Sequence, residues 1–289
     1  MTAQLALPVT WPGTLCWEET GVAFDAQRDQ LAVLGYAVTE VDRAQFTALE
    51  PHVATPPERA LHFPQEAAAH SPQVAQALLT ASVKAGARRL RGVRVERLVE
   101  DKGRVVGICT EAGGTCADHV LIAAGTGTAA LMGQAGSALP MPRRPALVLR
   151  TRPVPPILTH ILVSEFGELR QLEDGSLMMP AAVNHQADNA DTLDETLEVT
   201  AAQVLTRLRT LLPGVTLDWQ ELKLAFRPVP QDGLPVIGAV REGLHVACMH
   251  SGITLAAVAA ELVAQEMLEG VSNRSAAVLA PYRPGRFEG

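Results

Sequence analysis

Phe226-Arg227-Pro228-Val229-Pro230-Gln231-Asp232-Gly233-Leu234-Pro235-Val236-Ile237-Gly238, followed by Gly243-Leu244-His245-Val246-Ala247-Cys248-Met249-His250-Ser251-Gly252-Ile253-Thr254-Leu255, organises the last third of this chain. The first stretch reads as a strand ending at Arg227 and a tight turn around Asp232-Gly233. Two short apolar strands come next, then a helix of small residues whose first turn is Ser251-Gly252-Ile253-Thr254. That order brings a guanidinium and a helix N-terminus into one neighbourhood. A guanidinium can fork onto a carboxylate, and a helix N-terminus offers N–H donors and partial positive charge to an anion. On the residues alone, Arg227 is equally an ion-pair arginine at a strand end. The His250–Thr254 turn is equally a plain junction that uses Gly252 for tightness, with His250 a spectator.

Working outward, the 289-residue chain is long enough for one large domain or two modest ones, and 47% hydrophobic residues supply a core. A net charge of -7 argues against a nucleic-acid partner. The densest basic run, Arg88 to Arg97, is met at once by Glu96, Glu100 and Asp101. Cys16, Cys109, Cys116 and Cys248 show neither Cys-x-x-Cys nor zinc-ligand spacing, so reduced thiols are expected, although Cys109 and Cys116 flank a Gly113-Gly114 turn. The first residues carry no charged-then-apolar leader pattern, and the longest apolar run, Ile253 to Val263, is interrupted by Glu261 and too short to span a bilayer. A cytoplasmic protein without a transmembrane segment is expected.

Periodicity predicts helices over Phe24–Leu34, Arg43–Leu49 (capped by Asp42) and from Ser71 to Gly86, with apolar positions Val74, Ala77, Leu78, Ala81 and Ala85 on one stripe. A three-stranded meander follows over Val93–Glu100, Val105–Glu111 and Cys116–Ala124. Short strands are read at Thr14–Glu18, Tyr36–Thr39, Ile161–Glu165, Glu168–Leu172 and Leu177–Pro180. A long amphipathic helix runs over Leu193–Leu212, with Asp188, Asp191, Asp194 and Glu195 at its entrance and Thr192 as cap. This mixture predicts an α+β or α/β fold of two intertwined lobes. Gly125-Thr126-Gly127-Thr128-Ala129-Ala130 matches G-x-G-x-x-A directly after an apolar strand. No acidic residue follows within about twenty positions to hold a ribose.

Taken together, these motifs resemble the FAD-dependent amino-acid oxidase and dehydrogenase family, the group of D-amino-acid oxidase, glycine oxidase and sarcosine oxidase. The resemblance runs from about Thr10 to about Leu268 and is most specific at 226–238 and 243–257. It implies FAD as cofactor and a small-molecule amino acid or amine as substrate, oxidised at the CH–NH group by hydride transfer to flavin. By resemblance, Arg227 clamps the substrate carboxylate, with His250 a possible second catalytic group where some members carry an arginine. Val95 lends backbone contacts to the adenine. Ala124 and Gly125 pass close to the cofactor, and Cys248, Met249, His250, Ser251, Gly252, Ile253 and Thr254 cover the flavin ring. The implied division is a substrate-binding domain over 1–68 and 140–230 of mixed-sheet type. It intertwines with an incomplete FAD-binding domain over 69–139 and 231–289.

The departure is as informative. The family opens with a buried strand, Gly-x-Gly-x-x-Gly and a helix, whereas Trp11-Pro12-Gly13-Thr14-Leu15 already matches a segment well past that region. Three explanations follow: a longer enzyme whose start is missing, a second polypeptide that supplies the N-terminal unit, or a non-catalytic relic acting as a binding subunit. From another class, an NADP-binding enzyme would use Gly125 to Ala130 as its phosphate loop.

Overall fold

The computed structural model describes residues 5–183, 192–193 and 195–287. It is a mixed α/β protein that divides into two compact units, one of Met1–Leu7, Ser71–Arg144 and Phe226–Gly289, the other of Pro8–His70 and Pro145–Ala225.

The second unit is organised by an eight-stranded sheet in the order Trp219–Arg227, Arg144–Thr151, Leu177–Pro180, Gly167–Gln171, Ile161–Ser164, Thr14–Cys16, Arg59–Phe63, Thr39–Asp42. Ile161–Ser164 and Thr14–Cys16 run parallel, so the early strand is inserted beside a hairpin formed much later in the chain. On one face lies the helix Leu197–Leu211, whose Ala201, Val204, Leu205, Leu208 and Leu211 recur at helical spacing and are buried. They meet Leu15, Leu149, Leu162, Leu169, Leu177 and Met179. Each such leucine contributes roughly 1.5–3 kcal/mol by leaving water. The sequence predicted this helix from Leu193 with Thr192 as cap. It begins instead at Leu197, and Thr196 is the cap, its hydroxyl accepting from the Val199 N–H at 3.4 Å. Glu195 precedes that cap, while Asp188, Asp191 and Asp194 lie outside the described residues.

On the opposite face, Cys16, Leu61 and Phe63 pack with Phe24 of the helix Gly21–Val33. Burial pushes the Cys16 thiol up to about 11, which suits a packing thiol rather than a nucleophile. The strand expected at Tyr36–Thr39 forms at Thr39–Asp42, so Asp42 both ends that strand and caps the helix Arg43–Leu49 in a capping box with Gln45. Thr14–Glu18 shortens to Thr14–Cys16.

In the first unit the meander is realised as Val95–Asp101, Arg104–Thr110 and Gly113–Cys116. The expected third strand, Cys116–Ala124, splits in two. After Cys116 the chain leaves the meander, and Val120–Ile122 joins a separate sheet of order Val236–Arg241, Leu244–Cys248, Val120–Ile122. Cys109 stands opposite Gly114 and Cys116 opposite Gly107, so the two cysteines do not face each other, and both are free. The helix Ser71–Lys84 forms as predicted, with Gly86 in the left-handed region closing it. None of its residues is fully buried; the stripe Val74, Ala77, Leu78 and Ala81 is only half-buried.

Behind the sheet, the helix Ala256–Glu269 buries Ala259, Leu262 and Val263 against Ile237 and Leu279. Its Glu266 takes a two-pronged ion pair from Arg283, Nη1 to Oε2 at 2.7 Å and Nη2 to Oε1 at 2.6 Å. The Arg283 side chain crosses the strand at Gly238, where any Cβ would collide with the guanidinium, so only glycine leaves room for it.

Candidate functional site

The strands Val120–Ile122 and Leu244–Cys248 pair in parallel, with Leu244 beside Val120, His245 beside Leu121 and Val246 beside Ile122. Parallel pairing carries both chains out of the sheet at the same end, so Ala124-Gly125 and Cys248-Met249 emerge side by side. In open α/β sheets that carboxyl end is where ligands bind. The buried Cys248 thiol closes the gap, donating to the Gly125 carbonyl at 3.7 Å. Burial raises the thiol's pKa, which keeps it neutral and structural.

After Ala124 the chain makes a 3₁₀ turn over Gly125–Gly127 and the seven-residue helix Thr128–Gln134. Gly125 has φ +55, and a Cβ there would meet nothing within 4 Å, so what Gly125 supplies is a left-handed backbone in open space. The following helix is short for a phosphate-binding dipole, which weakens the nicotinamide reading of Gly125 to Ala130.

On the neighbouring strand the chain passes into successive turns over 250–255. The helix predicted to start near Ile253 starts three residues later, at Ala256, with Leu255 at the cap position and no side-chain capping bond. Ser251-Gly252-Ile253-Thr254 is therefore a turn and not the first turn of a helix. Gly252 is also not required by backbone geometry. Its φ lies outside the left-handed region, and a Cβ would touch only the Met249 carbonyl at 3.7 Å and Met249 Cγ at 3.9 Å. The reason is local: Leu255 N–H bonds back to Ser251 O at 3.0 Å and Ala256 N–H to Ile253 O at 3.3 Å, leading into the helix through ordinary turn conformations. Among the described residues the N–H groups of Gly252, Ile253 and Thr254 donate to no backbone carbonyl, and all three residues are exposed. Met249 and His250 are half-buried at the start of this turn.

Arg227 is the last residue of its strand and only 9% exposed. Strand alternation fixes its direction: Leu222 packs on the core of the sheet, so Lys223, Ala225 and Arg227 point to the other face. Phe226, the preceding residue, stacks under the Arg143 guanidinium at 3.9 Å. The Asp232-Gly233-Leu234-Pro235 turn forms as read, with Gly233 N–H bonded to Pro230 O and Leu234 N–H to the Asp232 carboxylate. Sequence reasoning missed its clamp. Arg286 grips Asp232 through Nε at 2.6 Å and Nη2 at 3.1 Å, and also donates to the Leu234 carbonyl. That guanidinium holds the Asp232 carboxyl below its usual range. Arg286 and Arg283 lie beyond the stretch that carries the resemblance, and the only signal was two arginines among the last seven residues.

Val95 opens the strand Val95–Asp101 opposite Thr110, where the register shifts. Among the described residues no group of three or more metal-ligating side chains occurs. Nor is any helix there long and apolar enough to cross a membrane.

Comparison with known proteins gives the family. A model of FAD dependent oxidoreductases matches residues 3–266. The chain belongs to that family. It is similar to the bifunctional protein ThiO/ThiG of Trichormus variabilis, 27% identical over 78% of this chain and 34% of that protein. The glycine oxidase of Pseudomonas putida is 27% identical over 64% of this chain and 52% of that enzyme. The chain thus spans about a third and about half of these two relatives. Among solved structures, the L-proline dehydrogenase of P. horikoshii superposes with a TM-score of 0.87 over 99% of this chain and 79% of its own, at 17% identity. At that identity the likeness is one of fold.

Proposed function

We propose that this chain provides the substrate-binding unit and part of the FAD-binding unit of an oxidoreductase acting on the CH–NH group of an amino acid. In this reading residues 1–68 and 140–230, Arg227 among them, bind substrate, and the part holding Gly125 and Cys248–Thr254 faces the cofactor. FAD, when bound, supplies the hydride acceptor. The observation that carries the reading is the parallel pairing that sets the exposed Gly125 turn beside the turn whose Gly252, Ile253 and Thr254 N–H groups donate to no backbone carbonyl among the described residues. Those donors would face the flavin pyrimidine edge, where preorganised N–H groups stabilise negative charge without reorganising. Ala124 and Gly125 would let the cofactor approach closely, and Val95 would contribute backbone contacts to the adenine. Arg227 would hold the substrate carboxylate by a charge-assisted fork, fixing the orientation of the carbon to be oxidised. His250 is assigned next to that carboxylate.

Secure cofactor binding, we propose further, needs a Gly-rich βαβ unit lying along the strand Val120–Ile122. Among the described residues that strand has a partner on one side only, and Leu121 is 40% exposed on it. The half-buried stripe of the helix Ser71–Lys84 lacks full cover in the same way. Either the same polypeptide or a second one can supply the unit. The test is flavin retention: the 289-residue chain is mixed with excess FAD, desalted, and its visible spectrum recorded with and without an added family βαβ unit. Little flavin alone and stoichiometric flavin with the unit is the expected result. A yellow protein without the unit would show that the nucleotide site is misplaced, and failure in both cases would favour a non-catalytic binding subunit.

A further inference from the structure

The two edges of the eight-stranded sheet are unlike. Thr39–Asp42 closes one edge with four residues, and its Glu40 is tied into ion pairs with Arg28 and Arg59. Short, charged strands of that kind blunt an edge against further pairing. Trp219–Arg227 forms the other edge with nine residues, and Arg144–Thr151 is its one neighbour among the described residues. No proline interrupts it, and six of its nine residues are exposed, Trp219 and Leu224 at 37% and 44% among them. Strand alternation says which backbone groups are open. Ala181 N–H bonds to Leu147 O, so the odd residues of Arg144–Thr151 turn to Leu177–Pro180 and the even ones to the edge strand. Arg152 N–H bonds to Asp218 O at 2.9 Å, which sets the even residues 220, 222 and 224 against that neighbour. Trp219, Glu221, Lys223 and Ala225 therefore aim their N–H and C=O groups outward.

An open row of donors and acceptors is completed by another strand, and the side chains specify which. When this strand pairs antiparallel with its own copy about a two-fold axis, outward residues must stand opposite outward residues. Near the strand centre that leaves axes at Glu221, Leu222 or Lys223. An axis at Glu221 sets two carboxylates opposite each other and an axis at Lys223 sets two ammonium groups together, and like charges directly opposite destabilise. An axis at Leu222 sets Glu221 opposite Lys223 of the second copy and, by symmetry, Lys223 opposite Glu221. Trp219 then meets Ala225, and Leu224 meets Gln220. Glu221 and Lys223 are exposed, and neither has an ion pair among the described residues, so both are available for this exchange.

We propose that Trp219–Ala225 is a self-pairing edge, through which two copies of this chain join their sheets antiparallel about an axis at Leu222. A two-fold contact of this kind is closed and uses the same patch on both copies. One strand pair buries less than a standard interface, so the dimer should dissociate on dilution. Such pairing requires neither FAD nor Arg227. Sedimentation of the full chain from dilute to concentrated solution should show the mass moving from 30.7 kDa to twice that value. Glu221→Lys and Lys223→Glu should each weaken association about tenfold or more, since each turns both attractive pairs into repulsive ones. The exchange Glu221→Lys/Lys223→Glu should restore it to within about threefold of the parent, the signature of a direct pair. Both side chains are exposed, so the variants should fold as the parent does. With rising concentration the amide hydrogens of Glu221 and Lys223 should exchange more slowly, while those of Leu222 and Leu224 stay as they are. A single-chain mass at every concentration overturns the proposal. So does a dimer that the single variants leave intact, which puts the contact elsewhere, or a double variant as weak as the singles, which rules out this register.

Discussion

Replacing Arg283 by leucine tests how the candidate cofactor segment is held in place. The helix Ala256–Glu269 follows directly on the 250–255 turn, and its Glu266 side chain is 1% exposed and gripped at both oxygens by Arg283. Arg283→Leu leaves a carboxylate buried without its counter-ion. Removing one partner of a buried pair costs about 3–5 kcal/mol. Arg283 is itself a quarter exposed, so water can reach part of the site, and the lower end, about 3 kcal/mol, is the expectation. At roughly 2–4 °C per kcal/mol for a domain of this size, the transition of that unit should fall by about 6–12 °C. The double variant Glu266→Leu/Arg283→Leu should recover most of the loss, because two apolar groups replace an ion pair without leaving a naked charge. The loss should also depend on pH. Arg283 holds the Glu266 carboxyl below its ordinary value, so the pair stabilises the fold above the usual carboxylate range, and that contribution disappears as pH falls through the depressed pKa. Arg283→Leu should therefore show a flatter acid limb in urea or thermal unfolding. A single variant within about 0.5 kcal/mol of the parent, or a double variant as unstable as the single, would refute this account.

Three further outcomes are expected. In FAD-loaded protein, Arg227→Leu should lower kcat/KM for amino acids by about 2–3 kcal/mol of transition-state stabilisation and leave amines without a carboxylate nearly unaffected; equal losses for both would make Arg227 structural. Gly125→Ala forces a side chain into the left-handed region at a cost of about 1–2 kcal/mol, whereas Gly252→Ala should change stability by less than about 0.5 kcal/mol, and chemical denaturation giving the reverse order would contradict the turn geometry. His245 is 6% exposed and packs its ring 5.5 Å from that of His119, and burial first and His119 second depress its pKa. The neutral ring stabilises the fold above its ordinary pKa of 6.5, and that stability should be lost as pH falls through the depressed value. His245→Gln should remove this dependence from the melting profile, and a profile unchanged by the substitution would place the titration elsewhere.

Much of the architecture was legible because its causes are local. The helix at Ser71–Lys84 and its Gly86 terminus, the capped helix Arg43–Leu49 and the apolar stripe of Leu197–Leu211 follow from side-chain periodicity and cap chemistry within a few residues. The Asp232-Gly233 turn and the strand ending at Arg227 were read in the same way. The errors fall where a distant partner decides. Residues 116–124 have enough apolar character for one strand, but Cys116 is held by Gly107 while Val120 is taken by Leu244, and no local signal says that the chain changes sheet between them. The helix start at Ala256 slipped because small residues after Ser251 suit a turn as well as a helix, and the hydrogen bonds to Ser251 and Ile253 settle the choice.

By itself, then, the sequence determined the element types, the family resemblance and the identity of the residues to watch, since these rest on periodicity, turn chemistry and motif spacing. Tertiary structure alone decided which of them meet. Parallel pairing brings Gly125 to Cys248 across more than a hundred residues, Gly238 admits Arg283 to Glu266, and strand order puts Trp219–Arg227 at the sheet edge. The physical reason is that such contacts depend on strand order and register, and these are set by the burial of a shared core rather than by any residue's immediate neighbours.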